Sequence, residues 1–386
     1  MDLRDGPLEA AFRARVRAWM AERLTPVSAS LHATTRDLNA ARAWSKEMHQ
    51  AGFAGLTWPI EYGGQGRPIA FEAIYLEEAA RAEAPEHIGV IGLGMVGPTI
   101  LTHGTPEQKA TYLPRILSGD TVFCLGLSEP EAGSDLAAVQ TRAAPAGDGF
   151  VLNGQKVWSS YAHLADVCLV LARTGATGDR HRGLTCLLVD TGSPGVTVRP
   201  TRQLTGDSEF SEIELSEVRV DADRVLGAVG GGWEVAMAGL AHERGTMGFT
   251  LAARLTVQLR RLVETARALG RTADPLVRDR IAAIATETAA LTWTSYRALA
   301  QAGPSGTPGA DSSVIKLSWS QTHQRLTAFA LELLGAEAHQ TGEDGFWAGY
   351  WTHHHLRSLG NSIEGGTSEI QRNVIAERLL GLPRGR

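Results

Sequence analysis

The spacing of apolar residues changes twice along this chain. Leu8, Phe12, Val16, Trp19/Met20 and Leu24 recur at helical spacing, which predicts an amphipathic helix docked by one face. The helical texture continues to about residue 120, broken by Gly/Pro turns such as Trp58-Pro59 and the GGQG at 63–66. From Thr121 to about Leu226 the pattern shortens to strands: TVFCLGL, GFVLNGQKVW, DVCLVLAR, GLTCLLVD, GVTVRP and SEIELSEVRV. Turn residues bound them, among them Asn153-Gly154, SPG and DAD. After Gly230-Gly231-Gly232 the chain reads as helical again to its end. Successive strands with no helices between them predict an antiparallel barrel or sandwich, not a doubly wound sheet. The expected fold is therefore mixed α and β. It has an N-terminal helical domain over residues 1–120, a central β domain over 121–228 and a C-terminal helical domain over 229–386.

One motif argues against this reading at first sight. HIGVIGLGMVG (87–97) contains a G-x-G-x-x-G at Gly92, Gly94 and Gly97. A dinucleotide fingerprint needs a βαβ unit around it and an acidic residue about 20 positions on to hold a ribose. Here Pro98 follows directly, THGTPEQK interrupts the next segment, and TYLPRILS (111–118) carries no acid. The stretch reads instead as a Gly-containing buried helix followed by a turn.

Composition narrows the function classes. With 386 residues, 43% hydrophobic and 20% charged, the chain has room for two or three packed units of ordinary globular type. A net charge of −5 gives no basic surface for nucleic acid or anionic lipid. No apolar run approaches the roughly 20 residues that span a bilayer, and MDLRDGPLEAAFRARVRAWMAERL lacks the apolar centre of a signal peptide. Three cysteines, Cys124, Cys168 and Cys186, sit within apolar runs, which predicts buried reduced thiols and a cytoplasmic setting. His353-His354-His355 reads as a surface or helix-end run, because adjacent side chains diverge and no second ligand cluster is near; no metal is expected. GPSGTPGAD (303–311) reads as a loop between helices.

Two stretches carry chemistry. LSEPEAGSDL (127–136) is a strand end running into a small-residue turn, where Gly133 and Ser134 admit close approach of a ligand and Ser128 and Ser134 offer hydroxyls. SIEGGTSEIQRNVIAERLLGLP (362–383) begins with Gly365-Gly366 and enters a helix through Ser368-x-x-Gln371, a capping-box pattern, with Gly381 and Pro383 at its close. Paired glycines before a helix expose backbone N–H groups that can receive a phosphate or polarise a carbonyl.

Together with GLTWPIEYGGQG (55–66), GTPEQKATYLPRILSGD (104–120) and LNGQKVWSS (152–160), these stretches resemble the acyl-CoA dehydrogenase family, in order over almost the whole chain. The resemblance is to the bacterial branch in which IEGGTSE introduces the last helix. It implies an N-terminal helical domain, a central β domain and a C-terminal four-helix bundle, non-covalent FAD, and oxidation of an acyl thioester to its 2,3-enoyl product. Fatty acid or steroid side-chain metabolism is the implied setting. Electrons are implied to pass to an electron-transferring flavoprotein. The chemistry requires a carboxylate in a dry pocket to take the α-proton and donors for the developing enolate.

Many members place that base immediately before the Gly-Thr of the last motif, where this chain has Gly365. Glu364 is one residue earlier. A subgroup including isovaleryl- and long-chain acyl-CoA dehydrogenases places the base on the first bundle helix, just before an Arg, and Glu243-Arg244 stands at that place. Ala236, Leu240, Glu243 and Met247 step by 4, 3 and 4, which sets Glu243 on an apolar face. Glu243 is thus the expected base, with Glu364 the alternative. By the resemblance, Leu127, Ser128 and Gly133 match flavin-lining residues, and Trp158 and Ser160 the pair beside the isoalloxazine. Gly366, Thr367 and Glu369 match positions near the FAD phosphates and adenine. Ser134 and Arg244 match positions near the CoA and thioester, and the N–H of Gly365 one donor to the thioester carbonyl.

The chain also departs from the family. GRTADPLVRDR (270–280) replaces the usual Arg-x-x-Phe-Gly segment that reaches FAD in a neighbouring subunit, leaving Arg271 as its nearest counterpart, and Glu332 and Ala336 replace a common Gln and Gly. Some relatives with such features are mixed oligomers, so the resemblance allows a homo-oligomer or a hetero-oligomer with a related subunit. Alternatives to the dehydrogenase reading are a non-catalytic partner subunit and oxidation of a non-CoA substrate, such as a carrier-protein thioester or nitroalkane, on the same flavin scaffold.

Overall fold

The computed structural model describes residues 4–24, 37–302, 309–340 and 345–384; the side chains of Thr177 and of residues 243–247 fall outside this description. Helices α1 (Pro7–Arg23), α2 (Leu38–Gln50), α3 (Ile69–Arg81), α4 (Gly97–His103) and α5 (Pro106–Ser118) precede the strands. These are β1 (Phe123–Gly126), β2 (Arg142–Ala146), β3 (Gly149–Ser160), β4 (Val167–Arg173), β5 (Leu184–Asp190), β6 (Val196–Thr201), β7 (Phe210–Asp221) and β8 (Val225–Leu226). Helices α6 (Gly232–Ala268), α7 (Pro275–Ala302), α8 (Asp311–Leu334), α9 (Tyr350–Ser358) and α10 (Ser368–Val374) follow. Contacts group the chain into two compact units. One comprises Met1–Ala29, Pro68–Ala84 and Arg244–Arg386, the other Ser30–Arg67 and Pro85–Glu243.

The second unit is built on one sheet of order β6-β7-β3-β2-β4-β5-β8, with β1 beside β4. Most ladders are antiparallel, as the strand pattern predicts. The exceptions are β1, which lies parallel to β4, and the single parallel register pair of β2 with β4 at Arg142–Arg173. The chain between β1 and β4 contains the whole β2–β3 hairpin, long enough to bring a strand back in parallel. Strand β2, RAAPA, is not among the strands the pattern predicts, and its Pro145 removes a donor. It is tolerated where only β3 flanks it, opposite Phe150. Asn153-Gly154 is not a turn either. Strand β3 runs through it with a register shift against β7, and Gly154 has φ +155°. A Cβ there would stand 2.4 Å from Thr141 Oγ1, so glycine is required for the bulge.

Strand β4 is buried along its whole length, and its side chains alternate between two cores. Leu169 and Leu171 join Leu113, Ile116, Phe123 and Val235 on one face, while Cys168 and Val170 join Cys124, Leu152, Ile213 and Val218 on the other. All three cysteines are buried and unpaired by disulfide. In the GLGMVG stretch, a π-helical turn over Gly92–Val96 runs straight into α4. Gly97 serves packing: a Cβ there would lie 2.1 Å from Trp58 Cη2.

In the first unit, α6, α7, α8 and α9 share one core through Leu255, Leu262, Ile284, Leu291, Leu326, Phe329 and Trp351. This is the expected four-helix bundle. Trp351 Nε1 donates to Thr265 Oγ1 at 2.8 Å, which satisfies its buried indole. Helix α1 buries Phe12, Val16 and Met20, while Leu8, expected on the same stripe, is 73% exposed in the first turn. Phe12 meets Phe71 edge to face at 5.0 Å.

Beside this contact Arg13 reaches Glu77 at 2.6 Å, Glu78 at 2.7 Å and Asp5 at 2.6 Å, and Arg17 reaches Glu78 at 2.6 Å. The hydrogen bond from Arg13 holds the Asp5 carboxyl below its usual range. Burial pushes Glu78 up, but Arg17 and Arg13 together outweigh it and hold it low. Carboxylates depressed in the folded state contribute stability that is present above their unfolded pKa, about 4, and is lost as pH falls through the folded value. Arg13→Met is therefore expected to lower the melting temperature at pH 7, with the gap to wild type closing below about pH 4. Calorimetry across pH 3–7 checks this; a gap that stays constant would show that the pairing contributes nothing. Among the described residues no helix is long and apolar enough to cross a membrane.

Candidate active site

In the sheet unit, β1 ends at Gly126 and hands the chain to the loop carrying Leu127, Ser128, Gly133 and Ser134. That loop is stitched to β3 from below. Lys156, fully buried, donates from Nζ to Glu129 Oε1 at 2.7 Å and to the Leu127 carbonyl at 3.1 Å. Glu129 also accepts the N–H groups of Gln140 at 2.6 Å and Thr141 at 2.9 Å, and Val157 N–H donates to the Ser128 carbonyl at 2.9 Å. Burial alone would raise the Glu129 carboxyl. The Lys156 charge and these hydrogen bonds reverse that and hold it below its usual range. Sequence reasoning missed this pair. The available signal was a lysine at the inward-facing position of a strand, which requires a buried partner.

Just beyond Lys156 a second register shift bulges β3 before Ser159. Trp158 takes φ +58°, strained for a non-glycine residue, and the bulge turns its indole outward to 63% exposure with Phe210 edge-on at 5.8 Å. Ser159 is buried with no partner for its hydroxyl among the described residues, and Ser160 is half-buried. Gly133 and Ser134 are exposed, and the space beside Gly133 is open for at least 4 Å. The loop ends at Asp135, tied to Arg180 at 2.8 Å.

In the helical unit, Gly365 and Gly366 take consecutive positive φ values of +61° and +92°. At φ +92° Gly366 takes a backbone conformation that other residues rarely adopt, and a Cβ there would also press on Gln371 Nε2 at 2.7 Å. The expected capping box at Ser368 and Gln371 is displaced. Thr367 is the N-cap, its hydroxyl accepting Ile370 N–H at 3.2 Å, and Gln371 turns back to donate to the Gly365 carbonyl at 2.8 Å. The reason is that α10 begins one residue earlier than the pattern suggests, which frees Gln371 to brace the turn. Glu364 is held by Arg357 in a two-pronged pair at 3.1 and 3.0 Å, and Glu369 is 75% exposed beside Arg372 at 3.2 Å.

Glu243 and Arg244 lie within α6, but their side chains are outside the described residues. The earlier members of the same stripe, Ala236 and Leu240, pack into the core of the sheet unit. Arg271 is tied to Asp274 at 2.9 Å in the turn before α7. The three histidines are half-buried on α9 rather than on the surface: His354 packs on Tyr350 with ring centres 4.1 Å apart, and Thr327 stands 3.3 Å from His355. Residues 303–308 lie outside the described residues.

Family models match in sequence order: the acyl-CoA dehydrogenase N-terminal domain at residues 7–120, the middle domain at 124–218 and the C-terminal domain at 230–380. The chain belongs to the acyl-CoA dehydrogenase family and is an enzyme of that flavoprotein class. It is 42% identical over 381 residues to acyl-CoA dehydrogenase IpdE1 of Mycobacterium tuberculosis, covering 97% of each chain. Among solved structures it is similar to the Tcur3481-Tcur3483 steroid ACAD, with 31% identity, a TM-score of 0.90 and full coverage of both chains. The ChsE4-ChsE5 complex from Mycobacterium tuberculosis matches at 31% identity and a TM-score of 0.88, again over all of both chains.

The family cofactor is FAD, and the sheet unit fits a flavin. An outward indole, a buried serine hydroxyl without a partner among the described residues and an open approach at Gly133 belong to one loop-and-bulge assembly.

Proposed function

We propose that the chain oxidises an acyl-CoA thioester to the 2,3-enoyl-CoA, with Glu243 taking the α-proton and the Gly365 N–H donating to the thioester carbonyl. The observation that carries this reading is the family match over residues 7–380 in a chain that has glycine at the usual base position, 365. Glu364 is the weaker candidate because Arg357 already holds its carboxylate in a two-pronged pair. FAD, when bound, supplies the two-electron acceptor for the β-hydride. Leu127, Ser128, Gly133, Trp158 and Ser160 line the ring system. Gly366, Thr367 and Glu369 serve its phosphates and adenine, and Ser134 and Arg244 the CoA end. The α-proton is weakly acidic, and its removal calls for a carboxylate held out of water.

Electron-transferring flavoprotein is the proposed acceptor of the electrons, and a related second subunit the proposed partner. The solved relatives described as a steroid ACAD and as a two-component complex support a ring-bearing acyl chain and mixed assembly. Anaerobic titration with straight, branched and ring-bearing acyl-CoAs tests the proposal: at least one class is expected to bleach the flavin and release the enoyl thioester. Failure of every class, with FAD bound, would sink it.

A second reading is favoured by Gly365 together with the altered 270–280 segment: a non-catalytic partner that completes an active relative. It predicts a colourless protein when purified alone, yellow only when co-expressed with the second chain.

A further inference from the structure

One face of α8 carries a buried polar row that no role described so far uses. Lys316, Ser320, His323 and Thr327 step by 4, 3 and 4, and all are at most 6% exposed inside a helical bundle. Buried polar side chains must be matched by partners, and here the partners follow one another along a single segment, residues 358–366. Thr327 Oγ1 lies 3.3 Å from Ser358 Oγ. The adjacent Gln324 donates to the Ser358 carbonyl at 2.9 Å. His323 Nδ1 accepts the Asn361 side-chain amide at 2.7 Å, and Ser320 Oγ is 2.9 Å from the Asn361 carbonyl. At the end of the row Lys316 Nζ donates to the Gly366 carbonyl at 2.7 Å.

The segment therefore runs antiparallel to α8 on a ladder of side-chain bonds, and the last rung falls on the glycine turn. Gln371 closes the turn from the other side, donating to the Gly365 carbonyl at 2.8 Å and standing 3.3 Å from that of Gly366. Two glycines with positive φ have no intrinsic preference for one geometry. The carbonyls of both peptides are held by side chains that are 5% and 1% exposed, where water does not compete. A charged donor in such a place makes one of the stronger hydrogen bonds a protein contains.

We infer that Lys316 is a positioning residue for the acyl thioester: through the Gly366 carbonyl it fixes the Gly365–Gly366 turn, and so the direction of the Gly365 N–H. The inference rests on the proposed role of that N–H. Lys316 does not touch the thioester; it acts through the turn.

The test uses the purified holoprotein with Lys316→Met and Lys316→Arg. In K316M, amide exchange across residues 361–367 is expected to rise about tenfold or more, as a buried charged hydrogen bond is lost. Exchange in residues 250–262 stays unchanged. The limiting rate of anaerobic flavin reduction falls on the order of 10- to 100-fold, as expected for a displaced donor, with a smaller change in half-saturating acyl-CoA. K316R restores both. Unchanged exchange at 361–367 overturns the inference, and so does faster exchange with an undiminished reduction rate. If K316M does not accumulate folded, Gln371→Leu removes the opposite brace. It is expected to give the same paired signature, and its absence is equally adverse. A wild-type flavin that no acyl-CoA bleaches defeats the proposed function instead, while the exchange measurement still reports on Lys316.

Discussion

Glu243→Gln is expected to yield a protein that still binds FAD and is still yellow, but whose flavin is reduced by acyl-CoA on the order of 10²–10⁴-fold more slowly. Glutamine keeps the length of the side chain and a hydrogen-bonding end but cannot accept the α-proton at any accessible pH. The loss therefore appears in the limiting rate of reduction, with little change in acyl-CoA affinity. Glu364→Gln is the matched control. Its carboxylate is already paired with Arg357, both side chains about a third exposed, and an ion pair so placed contributes about 1 kcal/mol or less. A few-fold effect is expected. Rapid bleaching in E243Q together with its loss in E364Q would reverse the assignment.

The largest expected effect on stability lies in the sheet unit. Lys156→Met removes the cation from a pair with 0% and 8% exposed side chains and leaves Glu129 ionised in the interior. Breaking a buried pair in this way costs on the order of 3–5 kcal/mol. For a unit of this size the melting temperature drops by roughly 10 °C. The loop holding Leu127 and Ser128 loses its anchor with it, so FAD is expected to dissociate more readily, read as released flavin fluorescence. Adding Glu129→Gln to K156M should recover much of the stability, because a neutral amide still accepts hydrogen bonds without the stranded charge. If the double variant melts no higher than K156M, the pair is not what holds the loop.

The parts of the site legible in the sequence were those whose chemistry is local. Gly365-Gly366 before a helix, the small residues at 133–134 and an aromatic after a strand lysine can each be recognised within a few positions. The less legible parts depend on distance along the chain. Lys156 and Glu129 are 27 residues apart, and Lys316 and Gly366 are 50 apart. Neither pairing has a periodicity that would reveal it. The capping pattern at Ser368-x-x-Gln371 misled because a capping residue is chosen by where the helix starts, and the glycine turn moved that start to Thr367. Asn153-Gly154 misled for a related reason: the same conformational freedom that makes a hairpin turn also makes a bulge, and β7 alongside decides between them.

By itself the sequence determined the succession of helices, strands and helices, since that follows from the period of apolar positions. It also determined the family to which the chain belongs, since five separated stretches occur in order. Tertiary structure alone decided which face of β3 carries its lysine inward and its tryptophan outward, and which helix holds the glycine turn. Those outcomes depend on which distant donors and acceptors meet once water is excluded, and a buried charge settles only where its partner has already been placed.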